Sequence, residues 1–563
     1  MTDDRTRAIP SGNADPGRAM PGPSSPTGVT GPGPSVAQAT TAQAIARAGL
    51  IVTAAIVASR VLGYLRYVFI NGAVPDVGQL DAFFAAFRIP DFLFQLVAAG
   101  ALSSALVPVI AALLATGEEQ RAWRVVSTIL TLMLALLAVL AAIVFVFADV
   151  LVPPITEGLR PEAVATTVQL TRIMVLSPLF LAAGAVAASV LNASHRFAAA
   201  AIAPLVYNLG IIGAALFLAP SMGVTGLAIG VVLGALGHML VQIPQLRRGG
   251  VRIRPGADLH DPAARKAVAL LAPRALGLGA VQFVFIVITS IAAGLGTGSI
   301  TAFNFSFALL QIPIGVIGVP LGIVLLPSLA REAATGGSET FRRVLVRALR
   351  ILVFVMIPIT AIGAVVANDV VTLLFDHGAT DRGTLMLAGD MLAVFMFGLV
   401  AHSLIAVLAR AFYAVQDTRT PVAAAIVAVV LDIAFALAFS ERFGMPGVAA
   451  AIAIGAWAET VILVVLLARR VPALGLGSVG RVALLTIVAT IPATIVAWLV
   501  EGALVDRWGT YPGFVTVLLR LLIVGAAGGL VVLAGSLALR IPELPAMLSL
   551  MTDLIRRRRA QEA

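Results

Sequence analysis

The chain has 563 residues, of which 60% are hydrophobic and only 12% are charged. A soluble domain averages about 25% charged residues because it must cover its surface, so this composition predicts an integral membrane protein and excludes a disordered or collagen-like chain. Cysteine is absent, which excludes a disulfide framework, a thiolate nucleophile and a cysteine-ligated metal site. The formal net charge of +10 is expected from arginine-rich cytoplasmic loops, so no nucleic-acid partner is predicted.

Residues 1–42 are rich in Pro, Gly, Ser and Thr and lack the apolar core of a signal peptide, which predicts a disordered cytoplasmic tail. From Ala44 onward the apolar runs are continuous rather than alternating, so the expected class is all-α. A span needs about 20 apolar residues, and by that measure the chain holds about fourteen transmembrane helices. Arginines concentrate in alternate loops, which places those loops and both termini in the cytoplasm. Residues 541–563, with the run Arg556–Arg559, are predicted to form a basic cytoplasmic tail beside anionic lipid.

The sequence repeats itself at an interval of about 220 residues. Ala105–Ile110 matches Val324–Leu329, and Gly223–Ala228 matches Gly444–Ala449. This predicts an N-lobe at 43–249 and a C-lobe at 250–471 with six helices each, and two further helices at 472–540. An even number of spans gives both copies the same topology, so they are related by an axis along the membrane normal. Two pseudo-symmetric lobes are typical of a transporter; an old duplication without a transport role is the alternative.

Charged side chains inside the spans predict a polar cavity, because an unpartnered charge at the bilayer centre costs at least about 2.5–3.5 kcal/mol. The first span carries Arg60 and Arg66. In the second span, Asp81, Arg88 and Gln95 are seven residues apart and share one helical stripe. Pro90 is expected to kink this helix.

The second repeat carries a matching set of residues. Its eighth span has Asn304 and Gln311, and its seventh has Arg274, the counterpart of Arg60. Arginines facing each other across the lobes predict a cationic cavity for a pyrophosphate-type headgroup, because guanidinium stays ionised and binds phosphate in a bidentate manner. The structural alternative is that Arg60 pairs with Asp81, and Arg88 with Asp91, as latches between the lobes.

Other intramembrane polar residues indicate either a proton or sodium relay or simple helix-to-helix hydrogen bonding; they are His238, His402, Asp390, Asp432 and Glu459. The sequence contains no HExxH, Gly-x-Ser-x-Gly or Walker A motif. The protein is therefore not expected to be an enzyme or to carry a cofactor, and coupling to membrane potential, Na⁺ or H⁺ is left open.

Several segments together resemble the MurJ/MviN family of lipid II flippases in the MOP transporter superfamily. They are Ser59–Arg66, Asp81–Pro90, Ala203–Asn208, Gly315–Ser328 and Ala411–Pro421. The resemblance implies that lipid II, an undecaprenyl-pyrophosphate-linked peptidoglycan precursor, crosses the bacterial plasma membrane by alternating access. It also implies that the two C-terminal helices form a groove for the lipid tail.

The resemblance implies cavity roles for Arg60, Arg66, Asp81 and Arg88. This chain departs from the family pattern at Phe94, Gln95 and Ala308, where well-known members carry arginine. Lipid II, membrane lipid and cell-wall synthesis or division proteins are the implied partners of a monomer.

The remaining alternatives are a flippase for another polyprenyl-linked oligosaccharide, a multidrug or cation exporter of the same superfamily, and a non-transporting scaffold of the cell-wall machinery. The cation exporter fits poorly because such proteins usually have twelve spans and acidic cavities. A scaffold is distinguished by its expected tolerance of neutral substitution at Arg60.

Overall fold

The computed structural model describes residues 54–55, 57–97, 101–471, 474–547 and 549, with side chains placed for all of these except 101–105, 270–278, 280–281 and 338. All regular elements in these ranges are helical, so the predicted all-α class is confirmed. The N-terminal tail at 1–42 and the run Arg556–Arg559 lie outside the described residues.

The helices follow one another with short connections. In chain order they are α1 (57–72), α2 (Val77–Ala86), α3 (Arg88–Val97), α4 (Ala101–Ala115), α5 (Glu119–Leu151), α6 (Pro161–Met174), α7 (Ser177–Ala193), α8 (Phe197–Phe217), α9 (Ala219–Met222), α10 (Val224–Leu240), α11 (Ile243–Arg248), α12 (Pro262–Gly294), α13 (Ser299–Pro313), α14 (Val319–Ala334), α15 (Ser338–Val365), α16 (Ala367–Phe375), α17 (Arg382–Ala414), α18 (Arg419–Arg470), α19 (Leu476–Trp508) and α20 (Phe514–Ala538). A π-helical turn, Ile314–Gly318, joins α13 to α14.

Ten helical segments within the described ranges are long and apolar enough to cross a membrane, so the protein is a multi-pass membrane protein. One of them, α18, has 52 residues and is interrupted at Gly444. At about 1.5 Å per residue it is more than twice as long as the roughly 30 Å hydrocarbon core, so it accommodates two crossings. The total of about fourteen spans stays a prediction.

Matched glycines of the two repeats adopt the same backbone conformation. Gly223 has φ 58° and ψ −141°, and Gly444 has φ 61° and ψ −145°. Gly117 and Gly336, which also correspond, have φ of 76° and 72°. These are left-handed or otherwise glycine-favouring values, so both repeats break their helices at equivalent points for the same steric reason. The local folding of the two copies therefore agrees with the pseudo-symmetry expected from the sequence.

The helix is interrupted just before Pro90, as the sequence predicts. α2 ends at Ala86 and α3 begins at Arg88, so the interruption falls at Phe87. A proline lacks the amide hydrogen that would bond the carbonyl four residues earlier, and its ring clashes there. The break is confirmed, and it lies beside Arg88.

The connection between the repeats lies along α5. Hydroxyl groups of Ser127 and Thr128 accept hydrogen bonds from the backbone amides of Arg254 (3.1 Å) and Asp258 (3.0 Å). Arg121 and Asp261 form an ion pair with an N–O distance of 2.8 Å, and hydrogen bonding from Arg121 holds the pKa of the Asp261 carboxyl below its usual range. Asp261 also caps α12 by accepting from the amide of Ala263, so the connection has a defined path.

The last two helices are joined to the rest by a buried ion pair. Arg520 of α20 is fully buried and donates two hydrogen bonds to the carboxylate of Asp369 in α16. Its remaining donors bond the carbonyl oxygens of Gly509 (2.9 Å) and Thr510 (3.3 Å). The guanidinium thus connects α16, α20 and the loop between α19 and α20.

Candidate functional site

A polar cavity lies among α1, α3, α8, α12 and α13. It has two adjoining chambers of about 490 Å³ and about 450 Å³. Both chambers are lined by Arg66, Tyr67, Arg88, Asp91 and Asn304. Of the residues singled out from the sequence, the structure brings seven together at the cavity: Arg60, Arg66, Arg88, Asp91, His238, Asn304 and Gln311. Residues from both repeats therefore contribute to one site.

Arg60 lies against the π-helical turn that follows α13. A Cβ atom built on Gly315 would stand 2.6 Å from Nη1 of Arg60 and 3.4 Å from the hydroxyl of Tyr64. The guanidinium therefore approaches the backbone at a point where a side chain would displace it. Glycine at this position lets a cation of the first repeat pack against the second repeat.

Arg66 is held by aromatic rings. Its guanidinium carbon lies 5.2 Å from the ring centre of Tyr67 and 6.0 Å from that of Tyr207 in α8. Cation–π contacts of this kind orient a guanidinium without neutralising it. Arg60 and Arg66 line the same chamber with Gly63 between them, so their angular separation on the helix does not prevent both from reaching one cavity.

Arg88 bridges to the second repeat. Its Nε donates to Thr289 Oγ1 of α12 at 2.7 Å, and its Nη2 donates to Asn304 Oδ1 of α13 at 2.9 Å. The guanidinium carbon also lies 5.7 Å and 5.9 Å from the ring centres of Phe285 and Phe303. These neutral acceptors position the cation. Asp91 lies close enough to Arg88 to interact with it electrostatically, but the two form no ion pair in the described part of the chain.

Asp81 is fully buried, and its carboxylate is occupied by α13 rather than by Arg60. It accepts from the amide of Gly298 (2.5 Å), the amide of Thr301 (2.8 Å) and the hydroxyl of Thr301 (2.7 Å). Gly298, the N-cap residue of α13, supplies no capping side chain. Asp81 therefore caps α13 from the other repeat, and the helix dipole favours a carboxylate there.

A second contact between the repeats lies near Asp81. Asn71, at the end of α1, is fully buried and donates to the carbonyl oxygens of Phe375 (3.0 Å) and His377 (2.5 Å). The backbone carbonyl oxygen of Asn71 accepts from the amide of Ala379 at 3.1 Å. His377 Nε2 lies 3.1 Å from the carbonyl oxygen of Val68. We call Asn71, Asp81 and the residues they bond the closed end of the cavity.

The remaining candidates occupy different places. Gln311 lines the cavity, and Gln95 lies within hydrogen-bonding reach of the Asp91 carboxylate. The side chain of Arg274 lies outside the described residues, so its role stays a prediction. The hypothesis that Asp81 contacts substrate likewise stays a prediction, and the contacts above give Asp81 a packing role in this conformation.

Sequence reasoning missed the aromatic wall of the cavity. The aromatic side chains are Tyr67, Phe83, Phe84, Phe87, Phe94, Tyr207, Phe285, Phe303 and Phe307. Aromatic residues are common in buried cores, so nothing in their spacing separates cavity from core. Phe94 and Ala308, which stand at two of the positions where the family pattern has arginine, line the cavity. The cavity of this protein therefore has fewer arginines than the family pattern implies.

Three half-buried polar residues of the second repeat lie apart from the cavity lining. His402 Nε2 and Asp432 Oδ1 are buried without a hydrogen-bond partner among the described residues. Glu459 is close enough to Asp432 to interact with it electrostatically. Arg172, another intramembrane arginine, pairs with Asp149 of α5, which gives it a structural partner.

Comparisons with known proteins agree with the fold. Residues 76–519 match the family model described as "Lipid II flippase MurJ". The lipid II flippase MurJ of Burkholderia cenocepacia is 31% identical over 432 residues, which is 75% of this chain and 84% of that protein. The probable lipid II flippase MurJ of Haemophilus influenzae is 32% identical over 420 residues, or 71% of this chain and 81% of that protein.

Solved structures show the same fold. A structure described as "Lipid II flippase MurJ, inward closed conformation" has a TM-score of 0.73 at 20% identity and covers 87% of this chain and 99% of that chain. An inward-facing multidrug resistance MATE family transporter of the MOP superfamily has a TM-score of 0.61 at 15% identity, covering 74% of this chain and 95% of its own. Because the family model matches well over half of the chain, the chain belongs to the MurJ family of lipid II flippases.

Proposed function

We propose that the protein moves lipid II, the undecaprenyl-pyrophosphate-linked peptidoglycan precursor, across the bacterial plasma membrane for cell-wall synthesis. The observation that carries the proposal is the cavity with Arg60, Arg66 and Arg88 on its wall and Asp91 as its one lining carboxylate among the described residues. An excess of guanidinium groups in an aromatic cavity favours a pyrophosphate and disfavours a cation. The cation-exporter alternative is therefore not favoured.

Alternating access is the proposed mechanism, with both termini in the cytoplasm. The pyrophosphate enters from the cytoplasmic side and binds Arg60 and Arg66, while the polyprenyl tail stays in lipid beside α19 and α20. The closed end of the cavity faces outward in this mechanism, and it opens when the hydrogen bonds of Asn71 and Asp81 to the second repeat break. The arginines that hold the substrate all belong to one chain, so a monomer suffices.

Coupling to the membrane potential is proposed without a cofactor. Moving one charge through the field is worth about 2.3 kcal/mol per 100 mV, and a cationic cavity that changes its exposure carries such charge. Movement of Na⁺ or H⁺ is a second proposal. His402, Asp432 and Glu459 support it because His402 and Asp432 each have a buried atom with no hydrogen-bond partner in the part of the chain that the structure describes.

We also propose that Arg274 supplies part of the positive charge that the family pattern places at the positions of Phe94, Gln95 and Ala308. The test is growth complementation of a flippase-depleted strain with Arg274→Ala and Arg274→Lys. The expected result is loss of growth with alanine and recovery with lysine. Growth equal to the parent with both variants shows that Arg274 does not bind the headgroup.

The main experiment measures how much lipid II becomes accessible on the outer leaflet of cells or vesicles with and without the protein. Arg60→Ala and Arg66→Ala are expected to abolish this accessibility while membrane insertion stays normal. Arg247→Ala, which removes an exposed arginine of α11, is the matched control and should transport like the parent. Equal accessibility with and without the protein contradicts the proposal, and tolerance of Arg60→Ala favours a scaffold.

A further inference from the structure

A second basic pocket is formed by segments that do not line the transport cavity. It lies where α15, the start of α19 and residues 541–547 meet. Its volume is about 390 Å³. Four arginines of α15 line it: Arg342, Arg343, Arg347 and Arg350. Gly475 and Ser478 form the wall from α19, and Glu543 forms part of the wall from the C-terminal segment.

The pocket keeps a positive charge after its internal ion pairs are counted. Glu543, which is only 5% exposed, pairs with Arg350 at 2.5 Å. Glu339, at the start of α15, pairs with Arg342 at 2.6 Å. Arg347 forms no ion pair within the described ranges. The side chain of Arg343 is 71% exposed, and its Nη2 lies 3.7 Å from Oε1 of Glu339, the carboxylate that already pairs with Arg342. Four arginines against two carboxylates leave an excess of two positive charges.

The N-terminus of α19 adds to this positive field. α19 extends over 33 residues, and its N-cap residue, Gly475, has φ 77° and provides no side-chain cap. The amide of Ser478 donates to the carbonyl oxygen of Gly475 at 3.0 Å, whereas the earlier amides of a first turn have no partner within the helix, and the helix dipole is positive at that end. The pocket therefore combines guanidinium groups with the helix end that attracts anions.

The charge pattern of α15 places the pocket at the end of its apolar stretch, where lipid headgroups are expected. The arginines occupy the first turns of α15, and the apolar stretch of the same helix follows them to Val365. Next to the pocket, Phe354, Val482, Ile541 and Leu544 form a buried apolar cluster. A basic pocket directly above apolar packing is the arrangement that recognises anionic lipid headgroups.

We propose that this pocket binds the phosphate of an anionic phospholipid headgroup. The bound lipid thereby stabilises the packing of α19 and residues 541–547 against α15. Arg343 and Arg347 supply the unneutralised charge, and the first turn of α19 supplies backbone donors. Arg350 and Glu543 hold the C-terminal segment in place as the third wall. This site is independent of the transported substrate.

The test uses the full-length protein in detergent, titrated with phosphatidylglycerol and, as the uncharged comparison, phosphatidylcholine, with bound lipid counted by native mass spectrometry. The double variant Arg343→Gln/Arg347→Gln is expected to bind phosphatidylglycerol about thirtyfold more weakly, since each arginine near the surface contributes about 1 kcal/mol. The matched control, Arg247→Gln/Arg248→Gln, removes two exposed arginines elsewhere and should leave the affinity unchanged.

Ser478→Asp provides a second test that leaves α15 intact. A carboxylate in the first turn of α19 favours the helix but opposes a phosphate, so phosphatidylglycerol binding should weaken while thermal unfolding is unchanged. Three results would overturn the proposal: unchanged binding in both pocket variants, an equal loss in the control, or competition by inorganic phosphate at the concentration at which phosphatidylglycerol binds. The last identifies free phosphate as the ligand.

Discussion

Arg88 of α3 donates a hydrogen bond to Asn304 of α13, with 2.9 Å between Nη2 and Oδ1. The sequence places these two residues on corresponding polar stripes of the second and eighth spans, one in each repeat. The structure shows that the two stripes meet at this bond. Arg88 is therefore both a cavity arginine and a contact between the repeats.

The geometry of Arg88 predicts that charge alone is insufficient at this position. Arg88→Lys keeps the charge but offers one nitrogen on a flexible stem in place of the two fixed nitrogens that bond Thr289 and Asn304. Both Arg88→Lys and Arg88→Ala should reduce outer-leaflet appearance of lipid II by about tenfold or more, as expected for charge-assisted bonds of about 1.5–3 kcal/mol. The control is Arg160→Lys, because Arg160 forms an exposed ion pair with Asp76. This variant should leave the outer-leaflet appearance of lipid II unchanged. Full activity of Arg88→Lys would show that only charge matters.

The hydrogen bonds of Asp81 predict that weakening them increases access to the cavity through its closed end. Asp81→Asn retains one acceptor oxygen where the carboxylate now accepts three hydrogen bonds, so the contact between α2 and α13 should weaken. The protein has no cysteine, which allows Gln311→Cys, in the exposed part of the cavity, to report access without background. Labelling of this cysteine by an impermeant thiol reagent from outside should increase severalfold in Asp81→Asn.

Asp76→Asn is the matched control for that measurement. Asp76 caps α2 through the amide of Gly78 at 2.9 Å, and asparagine caps equally well. Labelling of the cysteine at position 311 in Asp76→Asn should equal its labelling in the parent. If Asp81→Asn also leaves labelling unchanged, the carboxylate does not hold the cavity closed.

The sequence was sufficient for the fold class and for most of the cavity cations. Apolar runs, matched glycines and seven-residue spacing are local patterns, and they identified Arg60, Arg66, Arg88 and Asn304 because a charged or polar group in a lipid-spanning helix needs a reason to be there. The interruption of the helix before Pro90 follows from the chemistry of a single residue.

Partners that depend on tertiary packing could not be predicted in the same way. Asp81 was expected to face Arg60 or substrate, but the amides it accepts from belong to a helix terminus 217 residues away, and no pattern within its own helix marks that terminus. Arg520, a charged residue within the apolar α20, carries the same signal as Arg60, but nothing in its own helix indicates a structural partner in place of substrate. Its partner Asp369 lies 151 residues away.

Gly315 predicts a variant that impairs transport without unfolding the protein. In Gly315→Ala the new Cβ would meet the far end of the Arg60 side chain at 2.6 Å, and that flexible end can move. The free energy of unfolding should change by less than about 1 kcal/mol, while transport falls severalfold because the guanidinium is displaced. Gly213→Ala, where no atom lies within 4 Å of the new Cβ, is the control. Normal transport by Gly315→Ala would mean that the position of Arg60 is not critical.

The buried pair of Arg520 and Asp369 predicts a large effect on stability. Removing one partner leaves an uncompensated charge in a buried site, which costs about 3–5 kcal/mol, whereas replacing both by apolar groups of similar volume is often neutral. Arg520→Met should therefore lower the midpoint of thermal unfolding strongly, and Arg520→Met/Asp369→Leu should recover much of the loss. The recovery will be incomplete because Arg520 also bonds the carbonyl oxygens of Gly509 and Thr510.

Arg507→Met is the matched control for this pair, because it removes an arginine at the exposed end of α19. It should leave the unfolding midpoint near that of the parent. A double variant no more stable than Arg520→Met would show that the arginine acts through the loop carbonyls and not through Asp369. In that case the link between α20 and α16 would rest on apolar packing, which Val366 and Val524 provide in the adjoining cluster, and the ion pair would not determine how firmly the last two helices are attached.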